Sequence, residues 1–294
     1  MMSLQEFKEW FDGLFFTLLE QKSSEFLSYS NNDHIRKVLS HIMRMAHGGK
    51  RLRPYMVYVG YISEGGEHDI FTLYAGMELL HLFCLVHDDI MDDSNMRHGI
   101  DTVHIAFDSA TAILAGDLLL AWSYECLKAV EDIEPYTIDD CMHEYAVMLK
   151  EVIHGQMLDV FSAKNTHATK DAVEMIMQLK TAHYSFYRPL ALGMLMAGAE
   201  NDSLDFARAY AVNLGMAFQL QDDLHDMEED EKAGQQTLAV LYRREHPSAS
   251  PEDIIRYMQD RIEEYKESAR DAMYVYGKDS DELWNEIMET VIQS

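Results

Sequence analysis

Residues 74–93 read YAGMELLHLFCLVHDDIMDD, an apolar stretch that ends in a group of aspartates. Its first part is apolar on nearly every face, which is typical of a helix surrounded by other helices. Asp88, Asp89 and Asp92 follow the pattern D-D-x-x-D, so helical spacing places their carboxylates on one face. Like charges at this spacing repel by about 0.2–0.5 kcal/mol per pair, and a bound cation would remove that cost.

The same pattern occurs far along the chain, where Asp222, Asp223 and Asp226 follow another apolar stretch. One such cluster is equally compatible with a solvated helix end, because the chain is rich in acidic residues. Two clusters, each behind an apolar helix, favour a metal site. Oxygen ligands without a histidine or cysteine pattern suit Mg²⁺, which binds through a few carboxylates and substrate phosphates.

The composition favours one domain. The chain has 294 residues, of which 48% are hydrophobic, and its 5 prolines and 15 glycines form no linker. This amount of apolar sequence can bury one large core or two ordinary ones. We therefore predict a single domain over residues 1–294.

Other sequence features predict where the protein resides. Its 3 cysteines have no paired spacing, which indicates a reducing compartment and neither disulfides nor a zinc site. Residues 1–16 interleave charged with apolar side chains and do not resemble a secretory signal. The longest apolar run, residues 190–199, is too short to cross a bilayer. We expect a cytoplasmic protein without an integral membrane segment.

The net charge of -27 arises from 51 acidic against 24 basic residues. Such a surface repels nucleic acids and anionic membranes, so neither is an expected partner. A protein of this charge that takes a phosphorylated substrate must gather its few cations at one place or use metal ions.

Cationic side chains concentrate at three places. They are the segment GGKRLRP (48–54) with Lys50 and Arg53, the segment Arg97-His98-Gly99, and Lys180-Thr181. The two glycines of the first segment permit a tight turn at a helix boundary. The chain has 14 histidines but no histidine-based metal motif. His81 is the candidate for a ligand contact, because it precedes Asp88 on the same predicted helix.

Helical periodicity dominates the remainder of the chain. Ser3 and Glu6 form a capping box ahead of an amphipathic stretch. Further helical stretches are predicted at about residues 33–47, 52–63, 68–94, 109–130, 138–163, 170–198, 203–227, 236–244, 252–276 and 280–292. Alternating runs of β-branched residues are almost absent, so we predict an all-α fold.

Eight motifs occur in order along the chain: GGKRLRP (48–54), ELLHLFCLVHDDIMDD (78–93), RHG (97–99), TVH (102–104), AILAGD (112–117), GQMLD (155–159), KTA (180–182) and GMAFQLQDDLHD (215–226). In this order they resemble the trans-isoprenyl diphosphate synthase family, the farnesyl and geranylgeranyl diphosphate synthases. The resemblance implies condensation of isopentenyl diphosphate with an allylic diphosphate. It also implies a helical bundle around a central cavity, a homodimer, and aspartate clusters that face each other.

The resemblance further implies a role for each candidate residue. About three Mg²⁺ ions would be held by Asp88, Asp89, Asp92, Asp222, Asp223 and Asp226 and would grip the allylic diphosphate. Arg97 and Lys180 would contact that diphosphate directly. The positions expected to hold isopentenyl diphosphate are Lys50, Arg53, His81 and His98. Those expected to line the allylic site are Thr181 and Gln219.

Three positions depart from the family pattern. His98 stands where a second arginine is usual, so one contact to isopentenyl diphosphate is weakened and becomes sensitive to pH. Asp101 stands where proline is usual. Gln235 replaces the lysine of a Gly-Lys-x-Thr motif, here Gly234 to Thr237. We expect weaker diphosphate binding from the loss of two basic side chains.

Two other functions are compatible with part of these features. A class I terpene cyclase shares the first cluster, but it normally has an Asn/Asp-x-x-Ser/Thr-x-x-x-Glu second site, which residues 222–230 lack. A cyclase also has no use for a second diphosphate site. A non-catalytic partner subunit is the other alternative, although such subunits typically lose one cluster and this chain has both.

Product length is expected to depend on the helix that carries Asp88. Phe83 lies five residues earlier, about 7.5 Å along the axis at ~1.5 Å per residue. In the relatives that this chain resembles, an aromatic residue there closes the cavity, and Cys84 beside it is small. We therefore expect a C20 product, geranylgeranyl diphosphate, with C15 as second choice. The alternative is that Phe83 only packs against a neighbouring helix.

Overall fold

Helices make up almost all of the regular structure. The computed structural model describes residues 1–131, 133–163, 168–227 and 235–293. Within these ranges it contains helices and one two-stranded antiparallel sheet, so the predicted all-α fold is confirmed. The chain divides into a first unit, Met1–Tyr58 with Glu67–Ile138, and a second unit, Val59–Gly66 with Asp139–Ser294. The single domain over residues 1–294 stays a prediction.

The first unit begins with the expected capping box, in which the Glu6 N–H binds Ser3 Oγ and the Ser3 N–H binds Glu6. Its elements are α1 (Leu4–Ser28), α2 (Asp33–Ala46), most of α3 (Leu52–Ser63), α4 (Phe71–Met91), β1 (Met96–Arg97), β2 (Ile100–Asp101), α5 (Val103–Ala106) and α6 (Ser109–Lys128). On α1, Phe7, Phe11 and Phe15 are buried at one-turn spacing. They supply the apolar face that this helix packs against its neighbours.

Helices α4 and α6 pack along each other. Gly76 permits this close approach, because an added Cβ there would lie 2.7 Å from Leu127 Cδ1. The Ser123 hydroxyl donates a 2.7 Å hydrogen bond to the Gly76 carbonyl. The nearly all-apolar sequence of α4 is thereby explained, since a helix enclosed by neighbours has no solvent face.

The second unit is arranged around the helix Asn201–His225. Its elements are α7 (Pro135–Ala163), α8 (Lys170–Met177), a π-helical segment (Gln178–Tyr187), α9 (Arg188–Met196), α10 (Asn201–His225), α11 (Leu238–Glu245), α12 (Pro251–Val275) and α13 (Glu282–Gln293). Helix α10 packs against the π-helical segment and α12. Gly215 allows the first of these contacts, because its Cβ would lie 2.5 Å from Ala182 Cα.

Among the described residues, α6 has the length and apolar composition of a helix that could cross a membrane. Of its most apolar window, 44% is buried inside the protein. A core helix packed between others shows the same composition. The expectation that no segment is integral to a membrane therefore stays a prediction.

The turn between α2 and α3 depends on a buried guanidinium. The Arg51 side chain is fully buried and pairs with Asp12 through Nε and with Glu78 through Nη1, both at 2.6 Å. It also donates to the carbonyls of Ala46 and Gly48. Burying a charge without partners is costly, so these contacts hold α1, α4 and the turn in one arrangement.

Replacing this guanidinium is expected to destabilise the protein strongly. We predict that Arg51→Ala lowers the free energy of unfolding by about 3–5 kcal/mol, because Glu78 would be left buried without its partner. The control is Arg36→Ala, which removes an exposed pair with Asp33 and should cost less than about 1 kcal/mol. Denaturant unfolding measures both, and equal losses would contradict the assignment.

Two features differ from the sequence expectation. The helix predicted over residues 170–198 is helical from Lys170 to Met196, but residues 178–187 are wound as a π-helix. The segment between α4 and α6 forms a hairpin and a short helix that periodicity did not indicate. Strands of two residues are too short to show alternation, so their pairing follows from the turn and from tertiary contacts.

Candidate active site

The first aspartate cluster ends α4. Asp92 is the C-cap, and its N–H binds the Asp88 carbonyl at 2.9 Å. Asp89 is buried, with 1% of its surface exposed, whereas Asp88 is half-buried and Asp92 is exposed. The carboxylates therefore lie where the helix dipole is already negative, which disfavours them further.

The β1–β2 hairpin places a cation beside this cluster. Strands β1 and β2 pair Met96 with Asp101 and Arg97 with Ile100. The Arg97 guanidinium donates to Asp89 Oδ1 from Nη2 at 2.6 Å and from Nε at 3.1 Å. The predicted site residue Arg97 is thus brought to the predicted site residue Asp89.

His81 lies on α4, the helix that carries the first aspartate cluster, among the cations of the first unit. Burial lowers its pKa well below the usual value of 6.5. Nearby positive charges lower the pKa further, in the order Arg53, Arg51, Arg97 and His98. The imidazole is therefore neutral at neutral pH, while the groups around it are cationic. This arrangement is suited to an anion, and it brings together four of the predicted site residues.

The neutral state of the His81 imidazole should make the stability of the protein depend on pH. Below about pH 6.5 the unfolded chain protonates His81 while the folded chain does not, so the folded state loses stability. We predict that the stability difference between wild type and His81→Asn shifts by about 1 kcal/mol, to the disadvantage of wild type, between pH 7.5 and pH 5.5. Urea unfolding at both pH values measures this. The control is His154→Asn at an exposed position, and a difference that is independent of pH would contradict the prediction.

The second aspartate cluster ends α10 in the same way. The N–H of Asp226, the C-cap, binds the Asp222 carbonyl at 3.0 Å. Asp223 is 6% exposed and accepts a 2.7 Å hydrogen bond from the Gln219 side chain. The Thr181 hydroxyl in turn donates to Gln219 Oε1. Three predicted site residues therefore form one hydrogen-bonded row.

A cleft of about 140 Å³ lies beside this row, within the second unit. Its lining includes Asp159, Lys180, Thr181, Gln219, Asp223, Gln235, Gln236 and Thr237. Lys180 Nζ is paired with Asp159 Oδ2 at 2.5 Å. Gly155 lets the lysine stem pass along α7, because an added Cβ would lie 2.9 Å from Lys180 Cγ.

Asp159 is a site residue that the sequence interpretation did not assign. It belongs to the quoted motif GQMLD, in which Gly155 and Asp159 are four residues apart and share a helix face. That spacing is the signal that could have identified it. Gln235, one of the noted departures, lines the cleft. Gly234 and residues 228–230 lie outside the described residues.

The proposed chain-length residues lie on α4. Phe83 is 9% exposed, and its ring packs edge-on against His87 at 4.7 Å between ring centroids. Cys84 is half-buried and does not form a disulfide. These contacts are compatible both with a cavity wall and with helix packing, so the role in product length stays a prediction.

The donor set fits a metal that completes its coordination with other ligands. Among the described residues, no three carboxylate, imidazole or thiol groups converge on one metal position. Asp89 Oδ2 is buried and has no hydrogen-bond partner in the described part of the chain. Mg²⁺ takes one or two carboxylates and obtains its other oxygens from phosphates and water. The residues present fit this ion, and the number of ions stays a prediction.

The chain is similar to known proteins both in sequence and in structure. The polyprenyl synthetase family profile matches residues 32–241. The chain is 32% identical over 227 residues to a geranylgeranyl diphosphate synthase of Sulfolobus acidocaldarius, covering 76% of this chain and 68% of that protein. It is 31% identical over 243 residues to a farnesyl diphosphate synthase of Escherichia coli, covering 76% and 81%.

A comparison with solved structures finds the fold of this chain in known prenyl synthases. The crystal structure of a geranylgeranyl pyrophosphate synthase from Corynebacterium glutamicum, complexed with isoprenyl diphosphate and magnesium, aligns with a TM-score of 0.78. The two chains are 24% identical, and the alignment covers 95% of this chain and 97% of the other. In sequence, the chain spans between 55% and 64% of the length of four other curated relatives.

Proposed function

This chain belongs to the polyprenyl synthetase family, and we propose that it condenses isopentenyl diphosphate with an allylic diphosphate to a short-chain linear prenyl diphosphate. The observation that carries the proposal is the pair of aspartate clusters. Each cluster ends a long helix, and each has a cation placed beside it within the same unit, Arg97 or Lys180.

Among the residues proposed for the allylic diphosphate, Lys180, Thr181 and Gln219 belong to the second unit. Lys180 lies in the cleft beside Asp223, where it can contact a diphosphate once the substrate competes with Asp159. Thr181 and Gln219 present oxygen atoms that stabilise positive charge on the allylic carbon. Because Gln235 is neutral, Lys180 is the cationic side chain among the described residues that line the cleft, and bound metal would supply further positive charge. When bound, Mg²⁺ neutralises the departing diphosphate and so favours cleavage of the C–O bond.

The first unit supplies the residues proposed for isopentenyl diphosphate. Lys50 and Arg53 follow the turn after Gly49, and the neutral ring of His81 lies among the arginines. An anion bound there is stabilised by the surrounding positive charges. Elsewhere on this acidic chain, cations are too scarce to provide such a site. The departing diphosphate, and not a side chain, is the proposed base for the final proton loss. The apolar residues of α4 keep water from the carbocation.

The partners and location are proposed on the same basis. We expect a homodimer, and an exposed apolar row on α7, formed by Ile153, Met157 and Phe161, supports it. Residues at this spacing share one helix face, which a second copy could cover. We also expect a cytoplasmic enzyme, in agreement with its three free cysteines.

The proposal predicts dependence on both clusters. Purified protein, Mg²⁺, labelled isopentenyl diphosphate and each allylic diphosphate should give a linear prenyl diphosphate. Asp88→Ala and Asp222→Ala should each lower kcat more than about tenfold, because lost stabilisation of the leaving group is worth several kcal/mol. Asp139→Ala, at an exposed position of α7, is the control. A cyclic product would favour a terpene cyclase, and no product would favour a non-catalytic partner subunit.

Product length provides a separate prediction. If Phe83 closes the cavity, Phe83→Ala should lengthen the C20 product and Cys84→Phe should shorten it to C15. If Phe83 only packs against its neighbours, its replacement should cost roughly 3–5 kcal/mol of stability without changing the product. Product chromatography and denaturant unfolding of both variants distinguish the two cases, and unchanged lengths in both would contradict the assignment.

A further inference from the structure

The tip of the β1–β2 hairpin is docked on the turn between α2 and α3. His98 Nδ1 lies 3.1 Å from the Met45 carbonyl oxygen. Because a carbonyl oxygen only accepts, Nδ1 carries the proton in this contact. An added Cβ on Gly48 would lie 2.1 Å from both Cγ and Nδ1 of the ring. The imidazole therefore lies directly over Gly48, and a larger residue there would displace it.

The backbone of the hairpin suits this contact. His98 and Gly99 have φ values of 50° and 79°, both in the left-handed region. Two such residues in succession are typical of the tight hairpin turn that matches the twist of paired strands. Histidine tolerates this region better than most residues. The turn therefore directs the His98 side chain without a large conformational cost.

The base of the hairpin is held independently. The buried Thr102 hydroxyl donates to the Ser94 carbonyl at 2.8 Å, and its N–H donates to the Asn95 carbonyl at 3.0 Å. His41 of α2 contacts the Asp101 carbonyl at 2.8 Å. At the tip, His98 makes the contact with Met45 of α2 and with Gly48 of the turn.

This docking determines how the cations of the first unit are placed. Arg97 is the neighbour of His98 on the hairpin, whereas Lys50 follows Gly48 and Gly49 on the turn and Arg53 lies at the start of α3. Arg53, Arg97 and His98 all act electrostatically on His81, so the two segments converge there. The distance between the hairpin cation and the turn cations therefore depends on how the tip is seated.

We propose that His98 is a positioning residue, which seats the hairpin on Gly48 and so fixes Lys50 and Arg53 relative to the hairpin that carries Arg97. In this role the side chain acts through the hairpin and not through a contact with the phosphate, because its Nδ1–H is already engaged by the Met45 carbonyl and its ring lies over Gly48. The proposal rests on the proposed function for its ligand, isopentenyl diphosphate, and on the hairpin geometry for the role.

Four variants test the proposal through KM and kcat. His98→Ala and Gly48→Ala should each raise KM for isopentenyl diphosphate about tenfold, with a smaller effect on kcat, since the hairpin loses its tip contact. The double variant should resemble His98→Ala, because the clash at position 48 exists only with the ring present. His98→Asn should recover most of the affinity, since asparagine can donate to Met45 and tolerates positive φ.

Two outcomes would overturn the positioning role. If the effects of His98→Ala and Gly48→Ala add in the double variant, the two residues act separately. If His98→Arg lowers KM, the position contacts the phosphate directly, as the resemblance implies. Gly13→Ala is the matched glycine control, because an added Cβ there meets nothing within 4 Å.

A second measurement separates this proposal from the proposed activity. Hydrogen exchange of residues 95–101 should become faster in His98→Ala and Gly48→Ala, and should remain close to wild type in His98→Asn and Gly13→Ala. Calorimetric binding of inorganic pyrophosphate should weaken in the same two variants. Both readouts need no turnover, so they hold even if no prenyl product is formed. Unchanged exchange in His98→Ala and Gly48→Ala would refute the docking role.

Discussion

The crowding of negative charge at the ends of α4 and α10 is the constraint on which the sites depend. Both helices end in carboxylates at their C-termini, where the helix dipole already disfavours negative charge. Asp89 and Asp223 are also buried, with 1% and 6% of their surfaces exposed. Each receives a partner from the protein, Arg97 for one and Gln219 for the other. A bound cation would relieve the remaining cost, which explains why such clusters favour metal ions.

The scarce cations are held in position by other residues. In the first unit, the buried Arg51 forms ion pairs with Asp12 and Glu78 and donates hydrogen bonds to backbone carbonyls. It therefore supports the turn and does not belong to the anion site. In the second unit, Asp159 orients Lys180 at the cleft. Each ion pair costs side-chain freedom and desolvation, but it places a cation where an acidic surface would otherwise offer none.

The π-helical segment of the second unit is stabilised at its C-terminal end by an ion network. Glu151 of α7 accepts from Arg188 Nη2 at 2.6 Å and from Nε at 2.8 Å, and it contacts His183 Nδ1 at 3.0 Å. Burial acts to raise the pKa of Glu151, but the hydrogen bonds from His183 and Arg188 outweigh it and lower the pKa to about 2. The network joins α7 to the segment that carries Lys180 and Thr181. Since π-helical turns are often found at functional sites, the network is well placed to support the cleft that Lys180 and Thr181 line.

The helices, the capping box and the aspartate clusters could all be predicted from the sequence. These features depend on neighbours within about four residues, so periodicity and spacing reveal them. The same local spacing places Asp88, Asp89 and Asp92 together whatever the rest of the chain does. The eight motifs identified the family, although nothing in their local pattern states which side chains touch.

Only the tertiary structure decided the remaining features. It separated Arg51, which is buried against Asp12 and Glu78, from its neighbours in the same basic segment. It also paired Lys180 with Asp159 and seated His98 over Gly48. These contacts join residues 21 to 53 positions apart, and they exist only once the helices have packed. The local sequence specifies which side chains are present, but burial and contacts between distant residues determine which of their charges remain available to a ligand.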